Sequence, residues 1–416
     1  MDKGNLLREI RKMRFEELYE RRLGGKLTTL EAADILGVDQ RTFRRWSRRY
    51  EEEGAEGLAD RRIGMASHRR ASIDEVLEML NLFETHYFDF NVKHFHQKLK
   101  TVHGSTRSYT WTKNRLQAAG KIAKGKSSGT HRRKRPRKPL PGMMLHQDGS
   151  THEWVPGVKW DLIITFDDAN SELYSAFFVE QEGTMSTFIA IEEVIKAKGL
   201  FCSLYTDRGS HYWLTREVDG KVDKMCPTQV NRALKQLGIE LIPAYSPEAR
   251  GRCERQFGTL QSRWPQELRL EGITEMYSAN RYLKDILIPR FNKEFTVKAE
   301  ADGSAFVPWI GGNETLSDIL CVHEDRIVGK DNTIRFDNKS LQIPADKYRY
   351  HYVKATVRVH EYPDASLAVF HGPRCLARDN ARGELLAMGA DRLPANAPDA
   401  VVASSNLHQG LVVSSA

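Results

Sequence analysis

Residues 203–212 read SLYTDRGSHY. A β-prone run from Leu200 to Thr206 ends on Asp207, and a glycine follows two residues later. A buried strand that closes on a carboxylate aims that acid into a site. One acid seldom makes a site, so its partners must be sought along the chain.

MMLHQDG (143–149), WDLIITFDD (160–168) and ELYSAFFVE (172–180) predict three strands with short connections, a meander. TMSTFIAIEEVIKAKG (184–199) predicts an amphipathic helix that stops at Gly199. The strand ending at Asp207 follows, then a polar excursion from 208 to about 226, whose Asp-Gly pair suggests a hairpin turn. Pro227 opens a helix running to Gly238, IELIP (239–243) is a short strand, and GRCERQFGTLQSRW (251–264) is a helix. The order βββαβαβα predicts a mixed sheet with helices on its faces.

Asp148 ends the first strand, which lies centrally when later strands add on both sides. Asp207 ends the strand after the first crossover helix, next to it. Glu254, at the start of the last helix, is placed as a third acid. Glu248 competes for that role, but it sits in a Ser-Pro-Glu loop ahead of Gly251. A ligand on a helix is held more rigidly than one on a loop, which favours Glu254. Asp167 and Asp168 read as a hairpin-turn pair. His146, His152 and His211 read as structural or surface histidines at least as readily as DNA contacts. Three carboxylates at the ends of adjacent elements repel unless divalent cations lie between them. Mg²⁺ takes carboxylates and keeps waters that phosphate oxygens can replace. Two such ions stabilise the attacking and leaving oxygens of a phosphoryl displacement.

The rest of the chain points to a polyanion. Net charge is +8, and residues 90–147 contain fifteen Lys or Arg and no acid. Nucleic acid is the partner that such a span fits. LTTLEAADILGVDQRTFRRWSRRY (27–50) predicts helix, turn, helix: Thr28 or Thr29 caps the first helix, Gly37 makes the turn and Asp39 caps the second. Arg41, Arg44, Arg45, Arg48 and Arg49 fall on one face of the second helix, opposite Phe43, Trp46 and Tyr50. A helix set in a major groove needs that division. Residues 72–88, 92–104 and 108–120 predict a second three-helix unit, with Thr110, Thr112, Lys113 and Arg115 as groove-facing candidates. KIAKGKSSGTHRRKRPRKPLPG (121–142) is basic and aperiodic, and Arg132, Arg133, Lys134 and Arg135 in it are backbone-tracking candidates. Alternating segments separated by turns over roughly 316–378 predict a small β-barrel, and the Ala/Ser-rich residues from about 390 a disordered tail.

Together the acids resemble a known family. Asp148, Asp207 and Glu254 look like the catalytic triad of DDE transposases and retroviral integrases. AYSPEARGRCER (244–255) is similar to the integrase-core signature, and YTDRGSHY (205–212) resembles the second-acid motif of bacterial insertion-sequence enzymes. The whole chain, over about residues 20–380, is similar to ISNCY-type transposases. The common integrase spacing would put the third acid at Ile242; the 12-residue excess can sit in the excursion after Asp207.

The resemblance implies a multidomain α+β protein. Its expected parts are a helix-turn-helix domain (1–65), a second helical DNA-binding domain (66–120), a basic linker (121–142) and a ribonuclease-H-like core (143–272). A helical connector (273–315), a small β-barrel (316–380) and a tail (381–416) complete it. The implied activity is binding of insertion-sequence ends, followed by DNA cleavage and strand transfer. Two Mg²⁺ ions, replaceable by Mn²⁺, would be held by Asp148, Asp207 and Glu254. The implied partners are double-stranded DNA, as terminal inverted repeats and target, and further copies of the chain assembled on it. A DNA-binding regulator with an inert core and a ribonuclease-H-like nuclease or resolvase are the rival readings.

The longest apolar runs are too short to span a membrane, and the charged N-terminus has no apolar core of a secretory signal. A bacterial cytoplasmic, nucleoid-associated location is expected. The five cysteines are scattered without a CxxC pair, so spacing supports neither a disulfide framework nor a cysteine zinc site.

Overall fold

The computed structural model describes residues 3–59, 70–124, 135–215, 222–223, 226–245, 251–311, 316–346 and 348–388. Arg132, Arg133, Lys134, Glu248 and the tail from 389 lie outside the described residues. The chain forms two compact units, Met1–Met79 and Leu80–Ala416.

In the first unit, α1 (Lys3–Leu23), α2 (Thr29–Leu36) and α3 (Gln40–Glu53) surround a core of Phe15, Leu18, Ala32, Ala33, Leu36 and Phe43. Thr28 caps α2 in a reciprocal box: its hydroxyl accepts from Glu31 N at 3.2 Å, and the Glu31 carboxylate accepts from Thr28 N at 2.7 Å. Gly37, at φ 73°, makes the left-handed turn, and Asp39 accepts from Thr42 N at 2.9 Å to cap α3. Arg41, Arg44, Arg45 and Arg48 are exposed on α3. Arg49 leaves the array: it is half-buried, and its Nη2 donates to the Ala59 carbonyl at 3.0 Å. A short 3₁₀ turn, Gly54–Leu58, folds back there, and a Cβ on Gly57 would overlap the Arg49 carbonyl.

The helix α4 (Ile73–Thr85) crosses the division between the units. From Leu80 onward, α5 (Val92–Thr101) and α6 (Tyr109–Ala118) belong to the same compact unit as the sheet. Thr112, expected in a groove, is fully buried with its hydroxyl 3.1 Å from His96 Nδ1, whereas Thr110 and Arg115 are exposed and Lys113 half-buried.

The central sheet has the order β3-β2-β1-β4-β7, with β1 (Leu145–Val155), β2 (Val158–Asp167), β3 (Leu173–Val179), β4 (Ser203–Thr206) and β7 (Glu240–Pro243). The first three run as an antiparallel meander, while β1–β4 and β4–β7 are parallel. β1 outruns the expected strand because Thr151 and His152 still pair with Asp161 and Trp160. α7 (Thr184–Lys198) and α8 (Gln229–Gln236) pack on one face around Leu145, Phe188, Ile191 and Leu234. On the other face, α9 (Gly251–Gln261), α10 (Trp264–Leu270), α11 (Met276–Tyr282) and α12 (Ile288–Phe295) enclose Trp154, Ile164, Phe257, Leu260 and Phe291. A π-helical turn, Leu283–Leu287, joins α11 to α12 just ahead of Pro289, whose missing N–H the wider turn accommodates. Within the excursion, β5 (Leu214–Thr215) and β6 (Val222–Asp223) pair antiparallel.

After α13 (Leu316–Ile319), the chain makes a five-stranded sheet of order β14-β13-β12-β11-β8. Its strands are β8 (Val322–Ile327), β11 (Thr356–Glu361), β12 (Leu367–His371), β13 (Arg374–Asp379) and β14 (Leu385–Met388). The expected barrel does not close. Among the described residues, β8 and β14 are both edges, and β9 (Thr333–Phe336) and β10 (Lys339–Gln342) pair only with each other.

Candidate active site

The register of β1 and β4 relates the two aspartates. Leu145 pairs with Leu204 and His146 with Tyr205, in parallel. Continued by two residues, that register sets Asp148 level with Asp207. Adjacent strands lie about 4.8 Å apart, and residues at one level project from the same face. Asp148 is 5% exposed and Asp207 is half-buried, its Oδ1 accepting from Gly209 N at 2.8 Å.

The face is the one α9 covers. Side chains alternate along β1, and the residues on either side of Asp148 in that alternation both touch α9. His146 Nδ1 lies 3.7 Å from Cys253 Sγ, and Ser150 Oγ accepts from Gln261 Nε2 at 2.9 Å. Between these anchors β1 advances about 13 Å and α9 about 12 Å, so helix and strand run in step. Asp148 lies between the anchors on β1, and Glu254 lies between them in the first turn of α9, exposed. The three carboxylates are not drawn into one cluster. Among the described residues, only Cys321, His323 and His360 bring three donor atoms within 4.8 Å of one another.

A buried node fixes α9 in place. Asp168 is fully buried and accepts from His146 Nε2 at 2.7 Å, Arg135 Nη2 at 2.6 Å, Lys138 N at 2.7 Å and Arg252 Nη1. Burial alone would raise its carboxyl. The bonds from His146 and Arg252 outweigh that and hold it far below the carboxylate range. Burial keeps His146 below its ordinary value, so the neutral ring gives its Nε2–H to Asp168 and accepts from the Cys253 thiol at Nδ1. Asp167 serves the turn, accepting from Gly142 N and Ala169 N at 2.7 Å each. Arg135, expected on DNA, pairs with Asp168 while its side chain stays 43% exposed.

One acid near the site had no sequence signal. The Glu182 carboxylate lies against Gly149, where an added Cβ would overlap it, and it stands 3.4 Å from His211 Nε2. Tyr212, fully buried, has its hydroxyl pushed far up, first by burial and then by Glu182, Asp148 and Asp207. The three acids thus act on one point. Glu182 follows β3 in a connection that carries no motif; the gap after Gly149, which only the fold reveals, marks it.

Residues 6–59 match the Homeodomain-like domain family HTH_23. The chain is 30% identical over 355 residues to a putative transposase, y4bF, of Sinorhizobium fredii, covering 85% of this chain and 77% of that protein. It is 31% identical over 213 residues to the transposase for insertion sequence IS1202 of Streptococcus pneumoniae, covering 51% of this chain and 45% of the relative. Among solved structures, a simian T-cell lymphotropic virus intasome in complex with a PP2A regulatory subunit aligns at 12% identity and TM-score 0.33, covering 76% of this chain and all of that one. The HTLV-2 integrase catalytic core domain in complex with magnesium aligns at 16% identity and TM-score 0.26, covering 35% and 89%. Both structural likenesses are distant. The near full-length match to y4bF decides the class: this chain belongs to the transposases. No described helix is long and apolar enough to cross a membrane.

Proposed function

We propose that the chain binds the ends of an insertion sequence and cuts and joins DNA there, with Asp148, Asp207 and Glu254 as its catalytic acids. The observation that carries this reading is the parallel pairing of Leu145 with Leu204 and His146 with Tyr205, which, continued by two residues past the end of β4, brings Asp207 level with Asp148 on the face that α9 runs along. Two acids at one level, with a third on the neighbouring helix, form an all-oxygen donor set that fits Mg²⁺ or Mn²⁺. Two such ions, when bound, would activate the attacking oxygen and stabilise the leaving one in each phosphodiester displacement.

The chain's own residues supply position. β1 and β4 fix the aspartates through backbone pairing. The Cys253–His146–Asp168–Arg252 node holds the first turn of α9, and so Glu254, against β1. Arg41, Arg44, Arg45 and Arg48 on α3 would enter the major groove of element ends, with Arg49 buttressing the helix. Lys113, Arg115, Arg132, Arg133, Lys134 and Arg135 would meet phosphates nearer the core, and several copies would assemble on paired ends. Because α9 is anchored at both ends and Glu248 precedes it, Glu254→Gln is expected to abolish cleavage and joining, while Glu248→Gln keeps measurable activity. The assay is cleavage of labelled end DNA in Mg²⁺. A dead Glu248→Gln beside an active Glu254→Gln would move the third acid into the loop.

A further inference from the structure

A second donor cluster lies in the C-terminal sheet. Cys321 immediately precedes β8 and His323 is two residues on, so strand alternation sets both on one face. His360 on β11 is the direct antiparallel partner of His323. The two imidazoles stack with centroids 3.9 Å apart, and the donor atoms of all three residues lie within 4.8 Å of one another. Cys321 is fully buried and His360 is 6% exposed.

Both rings present an unused nitrogen. His323 Nε2 lies 2.9 Å from the Asp318 carbonyl, which can only accept, so Nε2 carries the proton and Nδ1 the lone pair. Nδ1 of His323 and Nδ1 of His360 are buried with no hydrogen-bond partner. Buried polar atoms are nearly always satisfied, so two unpartnered imidazole nitrogens beside a thiol call for a ligand. His323, giving its other N–H to a backbone carbonyl, makes the outer bond that metal-binding histidines make, and the stacked rings, 13° between planes, would turn toward each other's edge to aim both nitrogens at one ion.

We propose that Cys321, His323 and His360 bind one zinc ion in a site distinct from the acidic one. One thiolate with two imidazoles selects a borderline-soft ion over the hard cations that carboxylates take. The cysteine thiol now donates to the Asp318 carbonyl at 3.2 Å and would give up its proton on binding. The fourth position would open on a cavity of about 360 Å³ lined by Asp318, His323, Arg358 and His360, where water can complete the shell. Sequence spacing misses this site because its third ligand comes from across the sheet, 37 residues beyond His323 (360 − 323).

The role follows from the neighbours. Gln229 of α8 bonds both backbone groups of His323, at 2.8 and 3.1 Å, and Arg232 of α8 donates to the Cys321 and Ile319 carbonyls. An ion here would tie β8 to β11 beside the point where Gln229 and Arg232 already hold β8 against α8.

The test uses the full-length protein, stripped of metal and titrated with Co²⁺. A thiolate-to-cobalt absorption band saturating near about one equivalent and displaced by Zn²⁺ is expected. The band should be lost in Cys321→Ser and His360→Gln, and kept in Cys202→Ser, Cys226→Ser and Asp148→Asn. Absence of the band from the unsubstituted protein, or its survival in Cys321→Ser, would overturn the proposal. Because the first of these results needs no variant, a misfolded substitution cannot hide the answer.

Discussion

α3 and α5 are both short basic helices ahead of the central sheet, and they use their charge in opposite ways. α3 turns Arg41, Arg44, Arg45 and Arg48 to solvent and keeps Phe43 inside. α5 turns its polar residues inward: His94 Nε2 and Lys98 Nζ each meet a Glu267 oxygen at 2.7 Å, and Arg290 Nη1 meets the same carboxylate at 3.0 Å. Glu267, on α10, is 3% exposed. A buried carboxylate requires cationic partners, and α5 supplies two of its three donors. Basic character in a sequence therefore marks a DNA face only where the fold holds no buried acid to receive it.

Removing that acid should have the largest effect. Glu267→Ala leaves Lys98 and Arg290 without their carboxylate, and breaking a buried pair in this way costs about 3–5 kcal/mol. Denaturant unfolding should report that loss. A stability within about 0.5 kcal/mol of the parent would mean that α5 is held by its apolar contacts alone.

Acid should do nearly as much. Burial pushes the Glu267 carboxyl up, but the bonds from His94 and Lys98 outweigh it and hold it at about 2. Its folded value is below its unfolded one, so its contribution is complete above about pH 4.5 and is lost as pH falls through about 2. At about 1.4 kcal/mol per unit, that is roughly 3 kcal/mol. Unfolding measured from pH 7 to pH 2.5 should show a decline that Glu267→Gln flattens; parallel curves would remove Glu267 from the account.

The substitutions on α3 should be smaller and of another kind. Arg44→Ala and Arg45→Ala should each weaken end-DNA binding by about 1–3 kcal/mol and leave stability within about 0.5 kcal/mol. A fall in stability without a fall in binding would make α3 resemble α5 and erase the contrast.

Local signals made the first unit readable. The Thr28 box, Gly37 and Asp39 stand where the sequence sets them, because caps and turns depend on residues within four positions. The mixed sheet was readable too, since its strands are short apolar runs with clear breaks. What escaped depends on remote partners. His94 meets Glu267 173 positions away, and Arg49 turns aside because Gly57 lets the chain close on it. The open C-terminal sheet depends on which strands become edges, which alternation along each strand does not encode. At the site, Asp207 was legible as the end of a strand, whereas Asp148, expected at one, lies inside β1 because pairing continues to Val155, and Glu182 was not legible, since its place is set by the gap that Gly149 leaves.

The central claim is that the level pair Asp148 and Asp207 performs phosphodiester chemistry. The most direct measurement is strand joining of labelled end DNA by the full chain in Mg²⁺, beside Asp148→Asn and Asp207→Asn, with end binding followed in parallel. The account predicts joined products from the parent, none with EDTA, and none from either variant while both still bind ends. Joined products from either asparagine variant, or from the parent in EDTA, would contradict it.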